Sequence, residues 1–303
     1  MKVFGICCVR NAADIIGLVC AYHLSIGFDG IIVVDDGSTD GTGAVLERLS
    51  ESTRRITTMY SQTDVFDQAS LTNSAAARAL QAGADYVVPF DADEFYAFKR
   101  DVKVAIESYA PAILRVPVRT FIQWHVVRRP FPFSLLFANY RARSLDGEER
   151  EAVAQRRCSF VQTNVPSKVI VPTTPTPEFL KGNHRAILPG ATEVAASEIE
   201  IFHLPLRSRQ ELIKRATDGE ARLAPLRTSP LESWQSLYFR ERFRGQELES
   251  EWRANSHRHG QIEVAGQKID LIKDNDLRYC VARALLALAA SRVGALRRTQ
   301  ARM

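Results

Sequence analysis

Three short apolar runs, at residues 2–9, 30–34 and 86–90, each stop abruptly against polar residues, and nothing else in the chain constrains its fold as strongly. Each run is rich in β-branched or aromatic residues and too short for a helix, so each reads as a buried strand. Between them lie stretches of helical spacing. Residues 12–26 place Ile15, Ile16, Val19, Cys20, His23 and Leu24 on one face, and Gly27 ends the pattern as a helix C-terminal glycine does. Helix signals return at 42–49, a third strand fits 56–60, and an Ala-rich helix fits 71–82 with Gly83 as its stop. Strand–helix alternation of this kind predicts an α/β fold with a mostly parallel sheet covered on both faces.

In open sheets of this type, ligands sit outside the carboxyl ends of the strands. Val9, Val34 and Phe90 all end strands, so the residues after them share one edge and together make a site. Arg10 and Asn11 offer a cation and an amide, suited to a base edge or a phosphate. Asp35 and Asp36 offer acceptors for a ribose hydroxyl or a ring N–H. Gly37, Ser38, Asp40 and Gly41 read as a tight turn and helix cap, with Asp40 open to either capping or a ligand. After Phe90 come Asp91, Asp93 and Glu94, three carboxylates within four positions. Two carboxylates spaced i, i+2 off a strand end can converge on one hard divalent cation, or form a solvated acidic loop. No glycine-rich phosphate loop of the dinucleotide or Walker type is present.

Composition excludes several classes. At 46% hydrophobic and 25% charged residues, the 303-residue chain is ordinary for a globular protein. The net charge of +5 is concentrated at 141–157, 207–227 and the C-terminal tail, which favours anionic partners. Without zinc-finger spacing, an aromatic–basic signature or a heptad-bearing basic region, nucleic acid is not expected. Five cysteines without metal-ligand spacing read as small buried hydrophobes in a reducing compartment. No uncharged 18-residue span occurs, so the expectation is a cytoplasmic protein without a transmembrane helix.

Val9-Arg10-Asn11, then Val33-Val34-Asp35-Asp36-Gly37-Ser38-Thr39-Asp40-Gly41-Thr42, then Phe90-Asp91-Ala92-Asp93-Glu94-Phe95 resemble the family 2 glycosyltransferases. The likeness is to the branch whose Asp-x-Asp continues as Glu-Phe, related to family 92, and it covers about residues 1–125 and, more loosely, 160–215. The resemblance implies a GT-A fold and a nucleotide-diphosphate sugar donor, UDP- or GDP-linked, with Asp35 or Asp36 at the base and ribose. It also implies Mn²⁺ or Mg²⁺ bridging the diphosphate to Asp91 and Asp93, with Asp93 as the direct ligand and Asp91 reaching ribose or metal through water. Such a metal stabilises the charge of a departing diphosphate. The Glu-Asp pair whose Asp serves many family members as base is missing here, which leaves the base and the stereochemistry open.

Farther along, strands are expected at 112–118, continuing through 121–125, and at 167–172, with another around 199–203. The aromatic and basic stretch 128–133 reads either as an acceptor pocket wall or as packing. His203 precedes Leu204-Pro205-Leu206-Arg207-Ser208 as in the resembled branch, which implies it as third metal ligand; neutral imidazole suits Mn²⁺. His184, beside Arg185, is the competing candidate for metal, phosphate or acceptor. Arg207 is expected at the diphosphate, since guanidinium forks bind phosphate oxygens in pairs. Glu94, Glu198 and Glu200 are the candidates for a general base. From Ser208 the chain reads as helical, so the expected division is a GT-A-like catalytic domain at 1–207 and a helical extension at 208–303. The last helix, with Arg292, Arg297 and Arg298, fits either packing against a core or peripheral contact with the inner membrane face.

The expected activity is metal-dependent transfer of a sugar to a glycan or glycolipid hydroxyl, in cell-surface polysaccharide synthesis. The non-enzyme alternative is a nucleotide-sugar-binding or membrane-associated assembly protein. A sugar-nucleotide pyrophosphorylase would need a glycine-rich N-terminal loop with Arg and Lys. A phosphatase using Asp-x-Asp would want Thr or Val where Phe95 stands.

Overall fold

The computed structural model describes residues 1–62, 67–126, 131–143, 145, 149–223 and 234–300. In chain order the first half contains β1 (Val3–Val9), α1 (Ile16–Ile26), β2 (Gly30–Asp36), α2 (Thr42–Thr53), β3 (Ile56–Ser61), α3 (Gln68–Gln81) and β4 (Tyr86–Pro89). Then follow β5 (Glu94–Phe98), α4 (Val102–Glu107), β6 (Ile113–Val116), β7 (Val118–Ile122), β8 (Tyr140–Arg141), α5 (Glu149–Ala154) and β9 (Lys168–Pro172). The short strands β10 (Glu178–Phe179), β11 (Ala186–Ile187) and β12 (Glu193–Ala195) lead to β13 (Ile199–His203). The chain closes with α6 (Arg209–Leu223), α7 (Trp234–Arg244), α8 (Leu248–Asn255), β14 (Gln261–Val264), β15 (Gln267–Asp270), β16 (Ile272–Lys273) and α9 (Asp276–Gln300).

The main sheet has seven strands in the order β12-β6-β9-β4-β1-β2-β3. All neighbours run parallel except β9, which lies antiparallel between β4 and β6. Every residue of β2 is buried, Asp35 and Asp36 included, and its apolar run at 30–34 is that of a strand covered on both faces. Alternate residues go to opposite layers. Val3, Cys7, Ile31, Val33 and Val88 pack with α1, α2 and the first half of α9. Ile6, Ile32, Val34 and Val87 pack with Leu71, Ala75, Ala76 and Ala79 of α3. Strand order reverses direction between β1 and β4, and the crevice at their carboxyl ends is where such sheets bind ligands.

Three expectations need correction. The run at 112–118 is two strands in two sheets, because Pro117 cannot donate to a ladder and breaks it between β6 and β7. The continuation stops at Ile122. A second sheet, in the order β16-β8-β7-β13-β5, results. The segment after Ser208 is helical in α6, α7, α8 and α9 but includes the hairpin β14-β15 and the edge strand β16. Within it, Leu277, Cys280, Val281 and Ala284 of α9 belong to the same buried cluster as α1. All five cysteines are free. Among the described residues, no helix is long and apolar enough to cross a membrane.

His23, on the apolar face of α1, is fully buried and stacked on Phe90 with ring centroids 4.3 Å apart. Its Nδ1 lies 2.9 Å from the Val19 carbonyl and its Nε2 accepts from the Tyr96 N–H at 3.3 Å, so the neutral ring is satisfied at both nitrogens. Burial pulls its pKa down to about 3. The unfolded chain therefore binds one more proton than the folded protein between about pH 6.5 and that value. Stability is expected to fall by about 1.4 kcal/mol per pH unit as pH drops through that window. Denaturant titrations of native protein and His23→Gln across pH 6.5 to 4 check this, with the variant expected to lose that slope.

Candidate active site

The β1 and β2 exits are laced together by side chains. The Asn11 N–H donates to Ser38 Oγ (2.8 Å) and the Thr39 N–H donates to Asn11 Oδ1 (2.7 Å). Asp40 accepts from the Ala13 N–H (3.1 Å) and from both the N–H (3.1 Å) and the hydroxyl (2.6 Å) of Thr42. Burial pushes the Asp40 carboxyl up, yet these hydrogen bonds and Lys214 hold it below the usual carboxylate range. Asp40 is thus a structural tie. Asn11 adopts φ 54°, a left-handed conformation that asparagine tolerates better than most residues. Asp36 is buried 3.9 Å from Arg10 Nη1. Asp35 points to the other face and lines an open cleft of about 590 Å³ with Gly37, Ser38, Gly43, Tyr60 and Gln62.

The β4 exit splits its carboxylates between two environments. Lys168, on β9 and 2% exposed, places Nζ 2.7 Å from Asp91 Oδ2 and 2.7 Å from Glu94 Oε2. Glu94 is also buried and accepts from the Asp91 N–H at 2.9 Å. Burial raises the Glu94 carboxyl, with Lys168 opposing it. Asp93 turns the other way. Pairing of β13 with β5 sets His203 opposite Glu94, and the Leu204 N–H donates to the Asp93 carbonyl at 3.0 Å. That register leaves His203 Nε2 3.7 Å from Asp93 Oδ1, while Arg215 Nη2 donates to Asp93 Oδ2 at 3.1 Å. Burial pushes the Asp93 carboxyl up, but His203, Arg215 and Arg207 outweigh it and hold the group well below the usual range.

Helix α6 starts on Ser208, whose hydroxyl accepts from the Glu211 N–H at 3.1 Å. One face of it crosses the site. Arg207, in the turn before it, donates to both oxygens of Asp14 (2.7 and 3.0 Å) and lies 2.9 Å from Glu211. Glu211 also faces Arg215, at 3.6 Å. Lys214 donates to the Asn11 carbonyl, closing α6 onto the β1 exit.

The structure thus brings Asp91, Asp93, Glu94, His203 and Arg207 to the edge shared with Arg10, Asn11, Asp35 and Asp36. His184 sits beside Lys168, its Nδ1 3.2 Å from the Ser167 carbonyl, and burial lowers its pKa. Glu198 and Glu200 are not brought there. Glu198 pairs with Arg100 at the start of β13, and Glu200 lies 2.6 Å from Arg119, which also holds Asp274 and Asp276 at 2.9 Å. At ~3.3 Å per residue, Glu198 lies five positions, about 16 Å, back along the strand from His203. Lys168, Glu211, Lys214 and Arg215 were not singled out from the sequence. The i, i+4, i+8 spacing of Arg207, Glu211 and Arg215 within the noted basic cluster is the signal that reveals Glu211 and Arg215. Arg128 and Arg129, and the side chains of Arg292, Arg297 and Arg298, lie outside the described residues.

Two groups that could hold a divalent metal meet here: the Asp93 carboxylate and the His203 imidazole, whose Nε2 faces it at 3.7 Å. Asp91, held by Lys168, does not join them, and among the described residues no group of three His, Cys, Asp or Glu side chains converges. A carboxylate and an imidazole suit Mn²⁺, and small divalent ions retain waters and take phosphate oxygens for their remaining positions. The pair fits a metal that arrives with a diphosphate.

Residues 15–143 match the family model described as glycosyl transferase family 2, less than half of the chain. No curated protein matches the sequence. Among solved structures, S. aureus TarS 1-349 in complex with UDP-GlcNAc is 14% identical, over 81% of this chain and 73% of that one, at a TM-score of 0.42. The mannosyltransferase PcManGT from Pyrobaculum calidifontis, in complex with GDP-Man and Mn2+, is 16% identical over 99% of this chain and 79% of that one, at a TM-score of 0.39. At those scores the likenesses carry no argument about this chain's activity.

Proposed function

We propose that this protein is a glycosyltransferase that moves a sugar from a nucleotide-diphosphate donor to a hydroxyl of a glycan or glycolipid, as in cell-surface polysaccharide synthesis. The observation that carries this reading is one continuous edge: the Asp35 cleft at the β2 exit and the Asp93–His203 pair at the β4 exit, closed by the cations of α6. The family match over 15–143 spans the Asp35 cleft and Asp93, though not His203 or α6, and supports the same reading.

In this mechanism the nucleoside occupies the Asp35 cleft, and the diphosphate lies toward Asp93. Mn²⁺ or Mg²⁺ held by Asp93 and His203 would supply positive charge to the departing diphosphate. The chain adds its own: Arg207, Lys214 and Arg215 stand preorganised at that edge, where charge develops as the sugar–phosphate bond breaks. Arg207, already bidentate on Asp14, exchanges that carboxylate for phosphate oxygens with its geometry set, and Arg215 brings the Nη2 that now donates to Asp93. Residues 1–207 supply most of the site, and the 208–303 extension contributes Lys214 and Arg215 from α6. Peripheral membrane contact would fall to the arginines at the end of α9.

Calorimetric titration of UDP and GDP, with and without Mn²⁺, tests the reading. Metal-dependent binding of a nucleotide diphosphate is expected, and binding of neither nucleotide under either condition removes it. Detection of a glycosylated product then separates a transferase from a binding protein.

A further inference from the structure

We infer that the cleft selects an imide base, uracil or thymine, over guanine and cytosine. The inference rests on the nucleotide-sugar reading and concerns how the cleft discriminates among nucleobases. Three side chains define the selecting slot. In the parallel register of β2 and β3, Asp35 stands directly beside Tyr60, so both project from the same face of the sheet. Gly43, in the first turn of α2, lies over that face: a Cβ there would sit 3.7 Å from Asp35 Oδ2 and 3.9 Å from Tyr60 Cε1. The space left by the missing methyl is bounded on one side by a carboxylate oxygen and on another by an aromatic ring. Tyr60 is 63% exposed although it is a large ring at a strand end, and its free face is a stacking platform for a base.

The carboxylate sets the hydrogen-bond code. An ionised Asp accepts and never donates. Asp35 Oδ1 already accepts from the Ser38 N–H at 3.0 Å, while among the described residues no donor hydrogen-bonds Oδ2. Oδ2 is thus the oxygen that borders the slot and meets the base edge, while Oδ1 is turned to the Ser38 N–H. An imide presents one N–H between two carbonyls and matches a single acceptor. Guanine presents two parallel donors, N1–H and the N2 amino group, which call for both oxygens of a carboxylate. Cytosine would turn its N3 lone pair toward Asp35. Gln62, which also lines the cleft, carries an amide that can donate to a flanking imide carbonyl.

The test is equilibrium binding of UDP, dTDP, CDP and GDP, with Mn²⁺ present, to native protein, Gly43→Ala, Tyr60→Ala and Asp35→Asn. The Gly43→Ala methyl meets only ordinary van der Waals neighbours, at 3.7 and 3.9 Å, so this variant is expected to melt no lower than native protein. It fills the slot, and UDP affinity is expected to fall at least about tenfold, as is that of Tyr60→Ala through lost stacking. Native protein is expected to prefer UDP or dTDP over CDP and GDP by at least about tenfold, and the tighter of the two identifies the source. Asp35→Asn, whose amide offers a donor as well as an acceptor, is expected to narrow the preference over CDP. Equal or tighter binding of GDP overturns the inference and leaves the nucleotide-sugar reading intact. Unchanged UDP affinity in Gly43→Ala also overturns it. Binding of no nucleotide at all removes the parent reading and this inference together.

Discussion

Asp93→Ala is expected to abolish metal-dependent nucleotide binding and to lower the rate of sugar transfer by about 10³-fold. Among the described residues Asp93 is the carboxylate paired with the imidazole of His203, at 3.7 Å, and no group of three such side chains offers a substitute. The same change has a folding cost. Arg215 and Arg207 are positioned against Asp93, and its removal leaves them without that counter-charge in a mostly buried setting. Because the folded carboxyl lies below its usual range, its contribution is present above the unfolded pKa near 3.9 and is lost only as pH falls through the lower folded value. At neutral pH the full contribution is therefore at stake, and Asp93→Ala is expected to cost about 3 kcal/mol. Isothermal titration of nucleotide with and without Mn²⁺, single-turnover transfer and urea unfolding read the three effects separately. A variant that keeps metal-dependent binding refutes the assignment of Asp93. Asp93→Asn keeps the shape without the charge, and is expected to lose transfer as fully while melting closer to native protein.

The sheet was legible because its strands are buried on both faces, which leaves a continuous apolar run that ends where the burial ends. Gly30 to Asp36 shows how far this reaches: the run itself was plain, but Asp35 and Asp36 lie within the strand and are buried rather than in the loop beyond it. Charge alone cannot mark that boundary, because a carboxylate can be buried when Ser38 or Arg10 meets it. The division of Asp91 from Asp93 was less accessible. Spacing i, i+2 suggests convergence, yet Asp91 is drawn to Lys168, which arrives from β9 some 77 positions later. Long-range partners of this kind carry no local signature. A buried lysine in the apolar run of β9 is the nearest thing to one, since an uncompensated ammonium there would be costly. Glu200, a candidate base from the sequence, stands three positions before His203 and so on the opposite face of β13, where Arg119 holds it.

Lys168→Met is expected to destabilise the fold by about 3–5 kcal/mol, the range for breaking a buried ion pair by removing one partner. Lys168 and Glu94 are each 2% exposed, so water cannot replace the lost ammonium. In native protein burial pulls Lys168 down, but Asp91 and Glu94 outweigh it and raise its pKa above the ordinary lysine range. A raised lysine stabilises below its unfolded pKa, near 10.4, and loses that contribution only as pH rises through the higher folded value, so native stability is insensitive to this group across neutral pH. The variant behaves differently. With the cation gone, Asp91 repels Glu94, whose carboxyl is already raised by burial, and the folded protein holds a proton that the unfolded chain releases. Relative to native protein, Lys168→Met is therefore expected to lose further stability as pH rises from 5 to 8. Pairing the change with Glu94→Gln removes the repulsion while keeping an acceptor for the Asp91 N–H, and the double variant is expected to recover most of the loss and to shed the added pH dependence. Urea unfolding of the four proteins at pH 5 and pH 8 completes the cycle. Additive losses, with no recovery in the double variant, would show that Lys168 acts through packing alone and that its charge does not set the Asp91 loop.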